Sequence, residues 1–219
     1  MKILLASADL DDITWSAASG FLDGVLTTPA ILREQEHEER EQLMEICRLV
    51  DVPVFVTVHA VDGDDAYRDG QELSRISDQI VVQIPLIEDA LSAVRRLAND
   101  GVRVASLLVF NAAQAILAAK AGASSVVTAI DHLDQVGHSG IEIVRELRAA
   151  FDASGTECDI IAMRPTTAMQ FADCALAKAD AVAVSASVLR HLLVHPLTDR
   201  GIDQFLSELA RHHPVWSTA

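Results

Sequence analysis

Five polar side chains stand at or just beyond the ends of apolar segments, where an α/β fold gathers its chemistry. Gln83 is the one polar residue in Ile80-Val81-Val82-Gln83-Ile84-Pro85, a β-branched run closed by a proline that cannot extend a strand ladder. His59 closes the run that starts at Pro53, Asp131 and His132 follow the run Ser124–Ile130, and Arg164 follows Cys158–Met163. A histidine that titrates near neutrality moves protons, and Asp131 can orient one. Gln83 can hydrogen-bond a carbonyl or enolate oxygen, and Arg164 can hold a carboxylate or phosphate. Together the set suits enolisation, isomerisation, dehydration or a retro-aldol step. Thr27 and Thr28 add lesser contacts after the second segment, and Asn111 with Gln114 opens the helix after the fifth.

Each residue also has a plainer reading. Arg164 precedes Pro165 and can pair with an acidic helix; His132 and Asn111 can serve as helix caps. If the sixth strand runs on through Asp131 and His132, the two alternate and only one faces inward. His59, His132 and Asp131 are ligand types suited to a divalent ion. They fall on the third and sixth strands, nearly opposite one another, so no metal site is assigned.

Eight short β-type segments must position these groups: Lys2–Ala6, Leu22–Leu26, Pro53–His59, Ile80–Ile84, Arg103–Val109, Ser124–Ile130, Cys158–Met163 and Ala181–Ser185. Helical patterns near 10–18, 31–50, 64–77, 87–99, 111–120, 136–151, 166–178 and 186–193 separate them, and one more follows near 198–211. This eightfold alternation points to a (β/α)8 TIM barrel with an extra C-terminal helix, a single domain over residues 1–219. An open doubly wound sheet is the alternative, but no G-x-G-x-x-G turn follows the first strand. The acidic run Glu34-Gln35-Glu36-His37-Glu38-Glu39-Arg40-Glu41 has the spacing of a solvated helix face, and His212-His213 belongs to the tail.

Composition narrows the partners. With 50% hydrophobic residues the chain can bury a large core, and its apolar runs fall well short of the roughly 20 residues of a membrane span. A net charge of −15 disfavours nucleic acid and anionic membranes, which are held by clustered Lys and Arg. The N-terminus shows no signal-peptide pattern, and Cys47, Cys158 and Cys174 are widely spaced and odd in number. A cytoplasmic protein with buried, unpaired cysteines is expected.

Several motifs resemble the small transaldolase and fructose-6-phosphate aldolase family. Leu22-Asp23-Gly24-Val25-Leu26-Thr27-Thr28-Pro29 is similar to its LDGVTTNP turn, and Ile80–Pro85 to its IVVKIP strand. Leu108-Val109-Phe110 with Gln114 and Ala118–Ala123 resemble its LVF…AAKAGA segment, and Leu133-Asp134 with Gly137-His138 its LDDIGHDG loop. His195-Pro196-Leu197-Thr198-Asp199 with Gly201 and Phe205 resembles its HPLTDKGLEKF tail. The resemblance implies a (β/α)8 barrel assembled as a homo-oligomeric ring or pair of rings, with the C-terminal helix and the tail through Trp216 packed on a neighbour.

It also implies a Schiff-base lysine in the fourth strand, where this chain has Gln83. A delocalised amide nitrogen forms no imine. The first-strand aspartate of the family matches Ala6, and the second-strand threonine and asparagine match Leu26 and Thr28. The fifth-strand asparagine-x-threonine matches Ala105-Ser106-Leu107, the sixth-strand aromatic Ala129, and the arginine beyond it His132. The phosphate-holding serine and arginine match Arg164 and Thr166, and His59 replaces an acidic or amide group. Lys2, Lys120 and Lys178, the only lysines, are expected at the opposite face. The pattern implies a rebuilt pocket, wider and drier than the family's. The expectation is a lysine-independent lyase, isomerase or dehydratase that uses no cofactor, acting on a small carbonyl, sugar or specialised-pathway substrate. A non-catalytic ligand-binding or scaffold barrel is the alternative.

Overall fold

The computed structural model describes residues 1–35 and 37–211. Eight parallel strands close into a barrel in chain order: β1 (Lys2–Ala6), β2 (Gly24–Leu26), β3 (Val54–Thr57), β4 (Ile80–Pro85), β5 (Val104–Leu107), β6 (Ser125–Ala129), β7 (Asp159–Met163) and β8 (Ala181–Val184). β1 pairs with both β2 and β8, which closes the ring. The helices are α1 (Leu10–Ala18), α2 (Pro29–Leu32), α3 (Glu39–Leu49), α4 (Gly63–Ser74), α5 (Leu91–Asn99), α6 (Ala112–Ala121), α7 (Ile130–Gln135), α8 (Gly140–Ser154), α9 (Ala168–Leu176), α10 (Ala186–Leu192) and α11 (Pro196–Arg211).

The strands are apolar on both faces because each face meets a different core. One set, including Val54, Val56, Val82, Ile84 and Ile160, packs under the helices. The alternate set, including Leu4, Leu26, Phe55, Val81, Ala105, Val127 and Ile161, fills the barrel interior, with Leu107 and Met163 half-buried against it. This is the two-sided burial that parallel strands require. Local signals start the helices: Asp9, Asp62, Asn111, Thr167 and Ser185 each accept a first-turn backbone N–H.

Several strand and helix boundaries differ from the sequence expectation. The stretch near 31–50 divides, because Pro29 starts the short α2 behind its Thr28 cap and α3 begins only at Glu39. Most of the acidic run from Glu34 therefore precedes α3 instead of forming its face, and Glu36 lies outside the described residues. β6 stops at Ala129, so Asp131 and His132 are helical and do not alternate as strand residues would. His212, His213 and Trp216 lie outside the described residues.

α7 is held tightly. Gly140 opens α8 against the start of α7, where a Cβ would come within 2.1 Å of the Ile130 carbonyl oxygen. Its N–H donates to Asp134 Oδ1 at 2.8 Å, which ties the loop back onto α7. At α11 the opposite holds. Every described residue of that helix is exposed, including Leu197, Ile202, Phe205, Leu206 and Leu209.

Candidate active site at the C-terminal mouth

β4 carries Gln83 into the barrel interior, and parallel register sets it beside Thr57 of β3 and Ala105 of β5. Partners in parallel register point the same way, so Thr57 and Gln83 share one inward patch. The Gln83 side-chain Nε2 donates to the Thr27 carbonyl oxygen at 3.1 Å. Its Oε1 is buried without a partner, as is the Thr57 hydroxyl. Orphaned buried oxygens carry a desolvation cost that a matching donor removes. Gln83 thus offers the barrel interior an acceptor for a hydroxyl, and not the donor to a carbonyl expected from the sequence. The residue has 0% of its surface exposed. Leu26 and Ala129 are buried in the same interior, which is not wide enough to expose this amide.

At the rim, α7 and the turn after β7 bring three expected residues together. Arg164 Nη1 lies 3.1 Å from His132 Nε2 and 3.4 Å from Asp131 Oδ2. Both reach one guanidinium because neighbours on a helix point about 100° apart, whereas neighbours on a strand point to opposite faces. A guanidinium has no acceptor, so the contact is a hydrogen bond only when His132 Nε2 carries a lone pair. His132 is then the neutral tautomer with its proton on Nδ1. Asp131 is mostly buried, and its Oδ1 has no partner. The Phe110 ring lies 6.2 Å from that of His132 and walls its side.

The backbone is strained at this rim. Arg164 has φ +66° and Leu108, after β5, has φ +60°, a region that costs non-glycine residues energy. At Arg164 the strained turn aims the guanidinium across the mouth toward α7.

The other expected residues are occupied elsewhere. His59 turns to the helix side of β3, with Nε2 2.9 Å from Glu39 Oε2 and Nδ1 3.5 Å from Asp69 Oδ2. It does not join the His132 cluster, and among the described residues no three His, Cys, Asp or Glu side chains converge to hold a metal. The Thr27 hydroxyl donates to the Phe55 carbonyl at 2.9 Å, and Thr28 caps α2 through the Ile31 N–H. Asn111 caps α6 by accepting from the Gln114 N–H, while Gln114 Oε1 accepts from the Phe110 N–H. That reciprocal pair fixes Phe110 and so the wall beside His132. Thr166 donates to Gln170 Oε1, and Gln170 Nε2 donates to Asp134 Oδ2, which braces the α7 loop from α9.

Thr57 escaped the sequence reading, and Phe110 entered it only within the Leu108-Val109-Phe110 motif, not as a site residue. The alternation Phe55/Thr57 beside Val81/Gln83 was the available signal for the first. None marked Phe110, whose role depends on where α7 folds back.

All three lysines sit at the other end. Lys2 opens β1 and pairs with Asp159, Lys120 ends α6 just before its Gly122 cap, and Lys178 stands in the turn that leads into β8. The thiols offer no substitute nucleophile. Burial first, then the Asp159 and Asp180 charges, pushes Cys158 up to about 12, and burial pushes Cys174 up to about 11. Cys47 is also raised by burial, although it is half-buried and not enclosed as expected.

The family model for transaldolase/fructose-6-phosphate aldolase matches residues 3–214. The chain belongs to the transaldolase/fructose-6-phosphate aldolase family. Relatives named probable transaldolase support this: one from Hyphomonas neptunium is 38% identical, covering 95% of this chain and 96% of its own. Another, from Thermodesulfovibrio yellowstonii, is 36% identical over 95% and 97%. Among solved structures, FabK from Thermotoga maritima superposes with a TM-score of 0.56 at 17% identity, over 84% of this chain and 57% of that one. That likeness shows the barrel fold alone.

Proposed function

We propose that this transaldolase-family barrel is a lysine-independent enzyme, a lyase, isomerase or dehydratase that works by acid–base chemistry on a small carbonyl, sugar or specialised-pathway substrate. The observation that carries the reading is the Arg164 guanidinium placed on both His132 Nε2 and Asp131 Oδ2 at the catalytic end of the barrel. In the free protein Arg164 occupies the lone pair that a general base needs. An anionic substrate group draws the guanidinium to itself, which frees His132 Nε2 to take a proton from the carbon beside a carbonyl. Asp131, left beside the imidazolium, stabilises its charge. Gln83 Oε1 and the Thr57 hydroxyl, both without partners, receive a substrate hydroxyl deeper in the barrel.

Exchange of α-protons from dihydroxyacetone phosphate in deuterated water, followed by NMR, tests this reading. Wild-type protein is expected to catalyse exchange and His132→Ala to lose it; equal exchange by both removes the assignment.

The complete burial of Gln83 favours a second reading, a ligand-binding barrel without turnover. Saturable binding of the same ketose phosphate with no proton exchange would select it.

The assembly is a homo-oligomer in this reading. Ile202, Phe205, Leu206 and Leu209 recur at the i, i+3, i+4, i+7 spacing of a helix stripe, and all are exposed on α11. The occupant is a second copy of the chain, as the ring resemblance implies. No described helix is long and apolar enough to cross a membrane. Free cysteines accord with the reducing cytosol as the setting.

A further inference from the structure

A cavity of about 190 Å³ opens at the N-terminal end of the barrel, away from the His132 cluster. Leu4, Phe55, Val81 and Ile161 supply its apolar wall, and polar side chains line it from the starts of β1, β2, β5, β6 and β7. Ser125 points inward, since it shares a face with Val127 of the interior cluster. It is 4% exposed, and its hydroxyl has no partner. On the same cavity lining, Arg103 spends Nη2 on the Asp78 and Gln79 carbonyls at 2.9 and 3.0 Å and has no carboxylate partner among the described residues. Asp159, in register with Ser125, pairs with Lys2 at 3.1 Å, and Asp23, three strands from Arg103, accepts the Ile3 N–H at 2.8 Å.

We propose that this cavity is a second ligand site, and that it takes a short aliphatic monocarboxylate. The carboxylate accepts from the free edge of Arg103 and from the orphaned Ser125 hydroxyl, and the alkyl chain lies against Leu4, Phe55, Val81 and Ile161. Size permits it, since an engineered apolar cavity of roughly 150 Å³ takes up benzene. Charge also permits it: Lys2 offsets the Asp159 carboxylate that stands in register with Ser125, and Arg103 has no carboxylate partner among the described residues. The polar wall selects an acid over its neutral isostere because a charge-assisted hydrogen bond is about twice as strong as a neutral one.

Methyl NMR titration of the full chain with butyrate, and with butyramide as the neutral control, tests the site. Butyrate is expected to shift the Leu4 and Val81 methyls saturably, with butyramide at least about tenfold weaker. Ser125→Ala, which leaves the Arg103 anchors in place, and Arg103→Gln are each expected to weaken butyrate by about tenfold or more. His132→Ala is expected to bind it unchanged. Equal binding of butyrate and butyramide, undiminished binding by Ser125→Ala, or shifts confined to the C-terminal mouth would each overturn the assignment.

Discussion

Arg164 links the two groups able to do acid–base work, and the consequences separate by residue. His132→Ala is expected to lower kcat/KM by about 10²–10⁴-fold, the usual contribution of a general base. His59→Ala is expected to leave it unchanged, because that ring is paired with Glu39 and Asp69 on the helix side. Steady-state assays of the two variants side by side check this, and a loss on His59→Ala matching that on His132→Ala would contradict the placement. Gln83→Leu forfeits one hydrogen bond to Thr27 worth about 1 kcal/mol but also removes an orphaned oxygen, so urea unfolding is expected to change little while turnover falls. Residue types were legible from the chain: an amide in the fourth strand, and a histidine and an arginine at two strand ends. Their grouping was not. Whether His132 or His59 meets Arg164 depends on where β6 ends and α7 begins, a boundary that local apolar periodicity leaves open.

At the level of elements, the position of α7 decides whether the site exists. Gly140 lets α8 approach the Ile130 carbonyl more closely than any side chain allows. Gly140→Ala is therefore expected to cost about 1–3 kcal/mol by overpacking and to lower turnover by displacing Asp131 and His132. Denaturant unfolding paired with kinetics reads both effects, and a variant with full stability and full activity would show that the contact yields freely. α11 makes a different demand. Phe205→Asp places a charge in its apolar stripe and is expected to shift the mass seen by light scattering toward the monomer. All eight strands were readable as short apolar runs, since interior and helix-facing cores both demand apolar residues. Strand ends were not, because φ at Leu108 and Arg164 turns positive for tertiary reasons that side-chain type does not encode.

Taken whole, the barrel gives its two ends different side chains. The three lysines lie at the N-terminal face with the Arg103 cavity, and the Arg164, His132 and Asp131 cluster lies at the C-terminal mouth. Two interior thiols add a pH dependence. Cys158 and Cys174 are raised from an ordinary 9.0 to about 12 and about 11, so the folded state holds their protons more tightly than the unfolded chain does. Their contribution is complete below about pH 9 and is lost as pH rises through 11 to 12. Urea midpoints measured between pH 8 and 11 are expected to fall, and to fall less in Cys158→Ala. The central claim concerns the inherited chemistry. Borohydride reduction in the presence of a ketose, read by intact mass, tests it most directly: the mass is expected to stay that of the unmodified chain, and a stable adduct on a lysine would contradict the lysine-free account.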